Sequence, residues 1–228
     1  MQPKDKSSQS TAVRTFDVIV FDLDGVIIDS AGDLVGAARY CLRQVGSADR
    51  DFSFIRSCIG GGARNLLLRC LDDDKKHLAD EALEIFRNYY VQNCTKQTVL
   101  YPSVRDVLEF YAHKKRLALA TFKIRTATHK VLAALDILDC FDVVVTADDV
   151  RRPKPDPECI DTILETLQCD RDTAVLVGDT PTDVQTGRNA GIATCAVAYG
   201  IGTRAQLDEA KPDYIIDDIR ELKNIVIL

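Results

Sequence analysis

The sequence predicts an α/β fold, a Rossmann-like doubly wound parallel sheet interrupted after its first strand by an inserted all-α cap domain. Three observations carry this. Short apolar runs alternate with helix-length segments from residue 101 onward, a pattern that builds a parallel sheet through right-handed crossovers. Between residues 31 and 97 the alternation stops and helix follows helix. Three predicted strands end in Asp22, Thr121 and Asp179, and in an open α/β sheet such carboxyl-end tips share the edge where ligands bind.

In chain order, Val18-Ile19-Val20-Phe21 is β-branched and aromatic and too short for a helix. It reads as a buried strand stopping at Asp22. A helix is expected over 31–45, with Leu34, Ala37, Ala38, Cys41, Leu42 and Val45 on one face. Asp29 or Ser30 is available to cap it and Gly46 to end it. Helices over 52–58, 63–70 and 75–92 follow. The α/β pattern then returns with helix 103–113, strand 117–121, helix 126–135, strand 143–146, helix 157–167, strand 174–178, helix 181–189 and strands 193–197 and 214–216. The expected division is therefore 16–30 and 98–228 for the α/β core and 31–97 for the helical cap, hinged near Asp29 and between 97 and 101. Residues 1–15 are polar and expected to be flexible.

The length of 228 residues suffices to bury about 70 % of the unfolded surface. A balance of 29 basic against 35 acidic side chains, net −6, disfavours nucleic acid or an anionic membrane as partner. Eight cysteines, none in a CxxC pair, fall in apolar or helical stretches and read as reduced thiols. The first fifteen residues lack the apolar segment of a secretory signal, so secretion is not expected, and no apolar run approaches the length that spans a bilayer. A cytoplasmic protein is expected, acting as a monomer or homodimer on a small molecule. His77, His113 and His129 lie on polar helical stretches and read as exposed.

Asp22 and Asp24 stand two positions apart in Asp-x-Asp-Gly. Two such carboxylates repel unless a positive charge is shared between them or one is protonated. Mg²⁺, bound through one or two carboxylates and often a substrate phosphate, would meet that need; a solvated acidic turn is the alternative. Asp179 and Asp183 are one helical turn apart and able to face one point, although Asp179 also suits a helix N-cap. Lys154 lies between Pro153 and Pro155, on a loop stiffened by their fixed φ angles. It is either a phosphate anchor or a solvated lysine.

Taken together, DxDGV, LALAT, RPKPDP and GDTPTD resemble, in order, the four motifs of the haloacid dehalogenase superfamily, over nearly the whole chain. The helical insert is similar to the small cap of its phosphoglycolate phosphatase and β-phosphoglucomutase branch. The closing stretch, with YG, a TR-x-x-L step and PDYIID, looks most like the phosphatases. The resemblance implies a Mg²⁺-dependent phosphatase of a small phosphorylated metabolite, 2-phosphoglycolate foremost, working through an aspartyl-phosphate. It implies Asp22 as nucleophile and Asp24 as acid and base. Thr121 and Lys154 would hold the phosphoryl group. The metal would be held by Asp22, Asp24 through its carbonyl, Asp179 and, directly or through water, Asp183. In the cap, Gly61, Gly62 and Arg64 resemble a substrate-facing turn, with a flexible loop as the alternative.

The chain departs from the pattern at two positions. Val26 stands where many of the phosphatases carry Thr and mutases often carry Val. Phe122 stands where Asn commonly follows the motif-two Thr. The rival readings are a phosphosugar mutase, a pyrophosphatase or nucleotide phosphatase, and a non-catalytic binding protein. A phosphonate-cleaving activity would need a Schiff-base lysine in the cap; of Lys75, Lys76 and Lys96 the first two sit in the solvated run DDDKK, and that activity is not expected.

Overall fold

The structure, a computed structural model, describes residues 15–228; the expectation for 1–15 falls, apart from Thr15, outside the described residues. In chain order the elements are β1 (Val18–Phe21), β2 (Ile28–Asp29), α1 (Ala31–Gln44), α2 (Phe52–Ser57), α3 (Gly62–Cys70), α4 (Ala79–Asn93), β3 (Val99–Leu100), α5 (Val104–Tyr111) and β4 (Arg116–Ala120). There follow α6 (Arg125–Ala134), β5 (Val143–Val145), α7 (Glu158–Leu167), β6 (Ala174–Gly178), α8 (Pro181–Ala190), β7 (Ala193–Val197), α9 (Arg204–Ala210) and β8 (Tyr214–Ile216).

Six strands form one parallel sheet in the order β5-β4-β1-β6-β7-β8. Alternate residues of β1 serve opposite layers. Ile19 and Phe21 join the larger apolar cluster, while Val18 and Val20 face Ile160 and Ile163 of α7. Every residue of β1 is fully buried, as a two-sided sheet requires and as its unbroken apolar run foretells. The larger cluster runs without a break from the sheet into the helical segment, through Leu34, Leu67 and Phe86. There α1 packs along α4, and α3 against α4.

The structure adds elements that periodicity does not announce. β2 and β3 form an antiparallel pair, Ile28 opposite Leu100 and Asp29 opposite Val99. They lie at the two places where hinges are expected, and at two residues each they are too short to leave a pattern. The helix α9 follows a turn capped by Thr203, whose hydroxyl and Gln206 form a capping box. Short 3₁₀ turns occupy Asp73–Leu78 and Ile219–Asn224. The cap expected of Asp29 or Ser30 differs in kind: Ser30 is the N-cap of α1 but makes no capping hydrogen bond, because its hydroxyl is given to Asp24. Asp29 instead accepts from the Ala31 N–H at 3.1 Å.

All eight cysteines are free, six of them buried. Burial pushes the Cys41 thiol up to about 11 and those of Cys70 and Cys195 up to about 12. The three histidines are exposed as expected. No described helix is long and apolar enough to cross a membrane.

Where the chain returns from the helical segment, it is tied to α1 by Asp33. This buried carboxylate accepts from the N–H groups of Gln97 and Thr98, each at 3.0 Å, and from the Thr98 hydroxyl at 2.8 Å. Asp33→Ala leaves those donors unpaired and is expected to cost about 3 kcal/mol in urea denaturation. Asp33→Asn, which keeps one acceptor oxygen, costs less.

Candidate active site

The order β4-β1-β6 sets three tips side by side. Phe21 is level with Leu119 of β4 and Val177 of β6, so Asp22, Thr121 and Asp179 emerge together at the carboxyl edge. The chain leaves β1 in one direction for β4 and β5 and fills the other side with β6 to β8, which makes this edge a topological switch point. The Asp22 N–H donates to the Val177 carbonyl at 2.9 Å, tying the acid to the neighbouring strand. Gly25 then turns the chain at φ +94°, where a Cβ would overlap the Asp179 carboxylate. Only glycine serves at that position.

One ligand oxygen each from Asp22, Asp179 and Asp183 lies within 4.8 Å of the others. Lys154 is the ammonium among them, buried, 2.8 Å from Asp183 Oδ1 and 3.1 Å from Asp22 Oδ1. The contact with Asp22 is close but not aligned as a hydrogen bond, and Oδ1 of Asp22 and Oδ1 of Asp179 are both buried without a hydrogen-bond partner. One ammonium thus stands against three carboxylates. Burial pushes the Asp22 carboxyl up to about 7, with Lys154 opposing the rise and Asp183 and Asp24 adding to it. Burial, Asp183 and Asp22 raise Asp179 well above the usual carboxylate range. Burial alone would lower the Lys154 ammonium, but Asp183 and Asp22 outweigh it and raise it. Two orphaned acceptors and an excess of negative charge fit a hard divalent cation with oxygen ligands.

Asp179 is not the helix cap that its position allows. Thr180 caps α8 in a capping box with Asp183, while Asp179 Oδ2 accepts from the Ile201 N–H at 2.7 Å. Asp183 is occupied by protein on both oxygens, Oδ1 by Lys154 and Oδ2 by the Thr180 N–H and hydroxyl. Asp24 lies apart from the three clustered acids, and its side chain meets Lys123 at 2.9 Å and the Ser30 hydroxyl.

A cavity of about 500 Å³ opens over these groups, a size suited to a small ligand. Asp22, Asp24, Thr121 and Lys154 line it from the sheet edge; Gly61, Gly62 and Arg64 line it from the helical segment. Asp179 and Asp183 lie behind Asp22, outside the lining. Arg64 pairs with Asp80 at 2.9 Å, and both side chains are more than half exposed, so its salt bridge is one that solvent screens. Gly62, at φ +80°, starts α3 against the Phe122 ring. Phe122 is thus a wall of the cavity, whereas the Val26 side chain is buried in the apolar core.

Sequence reasoning missed Lys123, Tyr90 and Ser30. Lys123 sits two residues past Thr121 and donates to the Tyr90 hydroxyl at 2.5 Å. Its nearness to the strand tip was a usable signal; Tyr90, on the buried side of an amphipathic helix, carried none. Arg87 also lines the cavity, and its Nε is buried without a hydrogen-bond partner.

The family model described as haloacid dehalogenase-like hydrolase matches residues 19–197. The chain is 32 % identical to the phosphoglycolate phosphatase of Aquifex aeolicus, over 92 % of this chain and 96 % of that one. It is 31 % identical to the phosphoglycolate phosphatase of Vibrio cholerae, over 95 % and 99 %. Among solved structures it is similar to a haloacid dehalogenase-like family hydrolase from Streptococcus pneumoniae, with a TM-score of 0.83, 28 % identity and coverage of 92 % of this chain and 97 % of that one. A predicted phosphoglycolate phosphatase from Haemophilus somnus gives the same TM-score at 26 % identity, again over 92 % and 97 %.

If the carboxylate cluster holds a divalent cation, Mg²⁺ in solution stabilises the folded chain, by about 2.7 kcal/mol at a hundred times its Kd. The unfolding temperature is expected to rise on adding Mg²⁺ and to fall back with a chelator. Asp179→Asn removes most of that increment.

Proposed function

Given that the chain belongs to the haloacid dehalogenase-like hydrolase family and is a phosphatase, we propose that it hydrolyses 2-phosphoglycolate with Mg²⁺ through a phosphorylated Asp22. The observation that carries this reading is the buried arrangement of Asp22 beside Lys154, with Asp24 at the same cavity and an orphaned carboxylate oxygen on each of Asp22 and Asp179. The relatives in Aquifex aeolicus and Vibrio cholerae, matched nearly end to end, supply the substrate.

In this reading a carboxylate oxygen of Asp22 attacks phosphorus and the ester P–O bond breaks, forming an acyl phosphate. Asp24 gives its proton to the departing alkoxide, then takes one from the water that attacks phosphorus. That second attack breaks the bond to Asp22 and releases inorganic phosphate. Lys154 offsets the repulsion between an anionic nucleophile and an anionic substrate, and Thr121 at the neighbouring tip holds a phosphoryl oxygen. Asp22, the Asp24 carbonyl and Asp179 would hold Mg²⁺, with Asp183 acting through water because its own oxygens are engaged. When bound, the ion would neutralise charge on the phosphoryl group.

Residues 31–97 act as the cap in this reading and set the substrate. Gly61 and Gly62 present the amino-terminal end of α3, without an acidic residue in its first turn, toward the substrate carboxylate. Arg64 pairs with that carboxylate on release from Asp80. The mutase reading drew on Val26, which faces the core and not the cavity. Thiols held protonated by burial suit the cytoplasm, and a monomer or homodimer serves, since one chain supplies the whole cluster.

The test is phosphate release with Mg²⁺ from 2-phosphoglycolate, β-glucose 1-phosphate, pyrophosphate, nucleoside monophosphates and an aryl phosphate. Turnover of 2-phosphoglycolate should stand at least tenfold above the rest, and Asp22→Asn should abolish it. Interconversion of the sugar phosphate without phosphate release would instead name a mutase.

A further inference from the structure

Asp24 is held by more than the turn it stands in. Lys123 Nζ stands 2.9 Å from its Oδ1 and the Ser30 hydroxyl donates to the same oxygen. Both partners converge on Oδ1, and no hydrogen bond engages Oδ2 among the described residues. Asp24 lines the cavity, and its side chain is 17 % exposed, against 3 % for Lys123. Lys123 is in turn fixed from the other side of the cavity. Its Nζ donates to Tyr90 of α4 at 2.5 Å and lies 4.6 Å from the centre of the same ring. Tyr90 is buried and stacks on Phe86, ring centres 5.5 Å apart. The backbone N–H of Lys123 donates to the Thr121 hydroxyl at 3.2 Å, so the lysine's own loop is anchored as well.

A carboxylate gripped on one oxygen by an ammonium and a hydroxyl has its plane fixed and its second oxygen presented. We propose that Lys123 is a positioning residue for Asp24: with Ser30 it clamps Oδ1, leaves Oδ2 as the proton-transferring oxygen, and is itself seated by Tyr90. The helical segment thereby completes the acid-base apparatus of the α/β core, besides lining the cavity. This rests on the hydrolase reading above, in which Asp24 protonates the leaving group.

A positioning role has a signature that general weakening of the site lacks. Alkyl leaving groups need the proton and a nitrophenolate scarcely does, so losing the clamp should be selective for leaving group. kcat/KM, which reports the reaction through transfer to Asp22, is measured for 2-phosphoglycolate, ethyl phosphate and p-nitrophenyl phosphate. Lys123→Met is expected to lose about 10²-fold on both alkyl esters, within the range for general acid catalysis, and only a few-fold on the aryl ester. Tyr90→Phe and Ser30→Ala, which each remove one hydroxyl, should show the same selectivity with smaller losses. They decide the matter if Lys123→Met fails to fold by circular dichroism.

Equal loss on all three esters would overturn the proposal. Loss confined to 2-phosphoglycolate would also overturn it, making Lys123 a partner of the substrate carboxylate. Absence of Asp22-dependent turnover in the wild type strikes the hydrolase reading and takes this inference with it. Normal wild-type turnover with an unselective Lys123→Met strikes this inference alone.

Discussion

The structure depends on the mutual repulsion of acids crowded where the tips of two buried strands meet the start of a helix. Asp22, Asp179 and Asp183 meet around a single ammonium, an arrangement that disfavours full ionisation at neutral pH. Asp33, by contrast, is a buried acid met by three donors. At the strand tips the sheet holds like charges together because its strand order leaves them no other place. Such frustration is characteristic of sites that bind an ion and a charged substrate.

Buried cations are distributed with a purpose that follows from this. Lys154 comes from the proline-flanked loop and stands beside Asp22; Lys123 comes from the loop after β4 and stands beside Asp24. Burial alone would lower both ammonium groups, yet the facing acids raise each of them. The two acids of the Asp-x-Asp pair are thereby given separate partners. A carboxylate beside one lysine and a carboxylate beside another can do different work although they are two residues apart in the chain.

The sequence was legible where physics is local. The apolar run of β1, its stop at Asp22 and the helix α8 opening at Pro181 follow from residues within a few positions of one another, and the structure agrees with them. Parallel order places Thr121, Asp22 and Asp179 on one edge, since that needs only the alternation of strand and helix. What escaped depends on approach through space. Tyr90 and Lys123 are 33 positions apart, and the two-residue strands β2 and β3 exist only as each other's partner. Ser30 is the N-cap residue that its place before the helix announces, but its bond to Asp24, six positions back, shows only in space. Val26 and Phe122, equally conspicuous as departures, separate once side-chain direction is known: one fills the core and the other faces the cavity.

The pairing of β2 with β3 has a bearing on how such a chain changes over generations. The path out of the sheet and the path back run side by side and are bonded to each other, so the sheet meets the intervening 31–97 stretch as a single closed doorway. The register of β1 with β4 and β6 involves no residue of that stretch. Change in that stretch is thereby separable from the acids at the sheet edge, with Tyr90 as the tether that limits how far it can wander from Lys123.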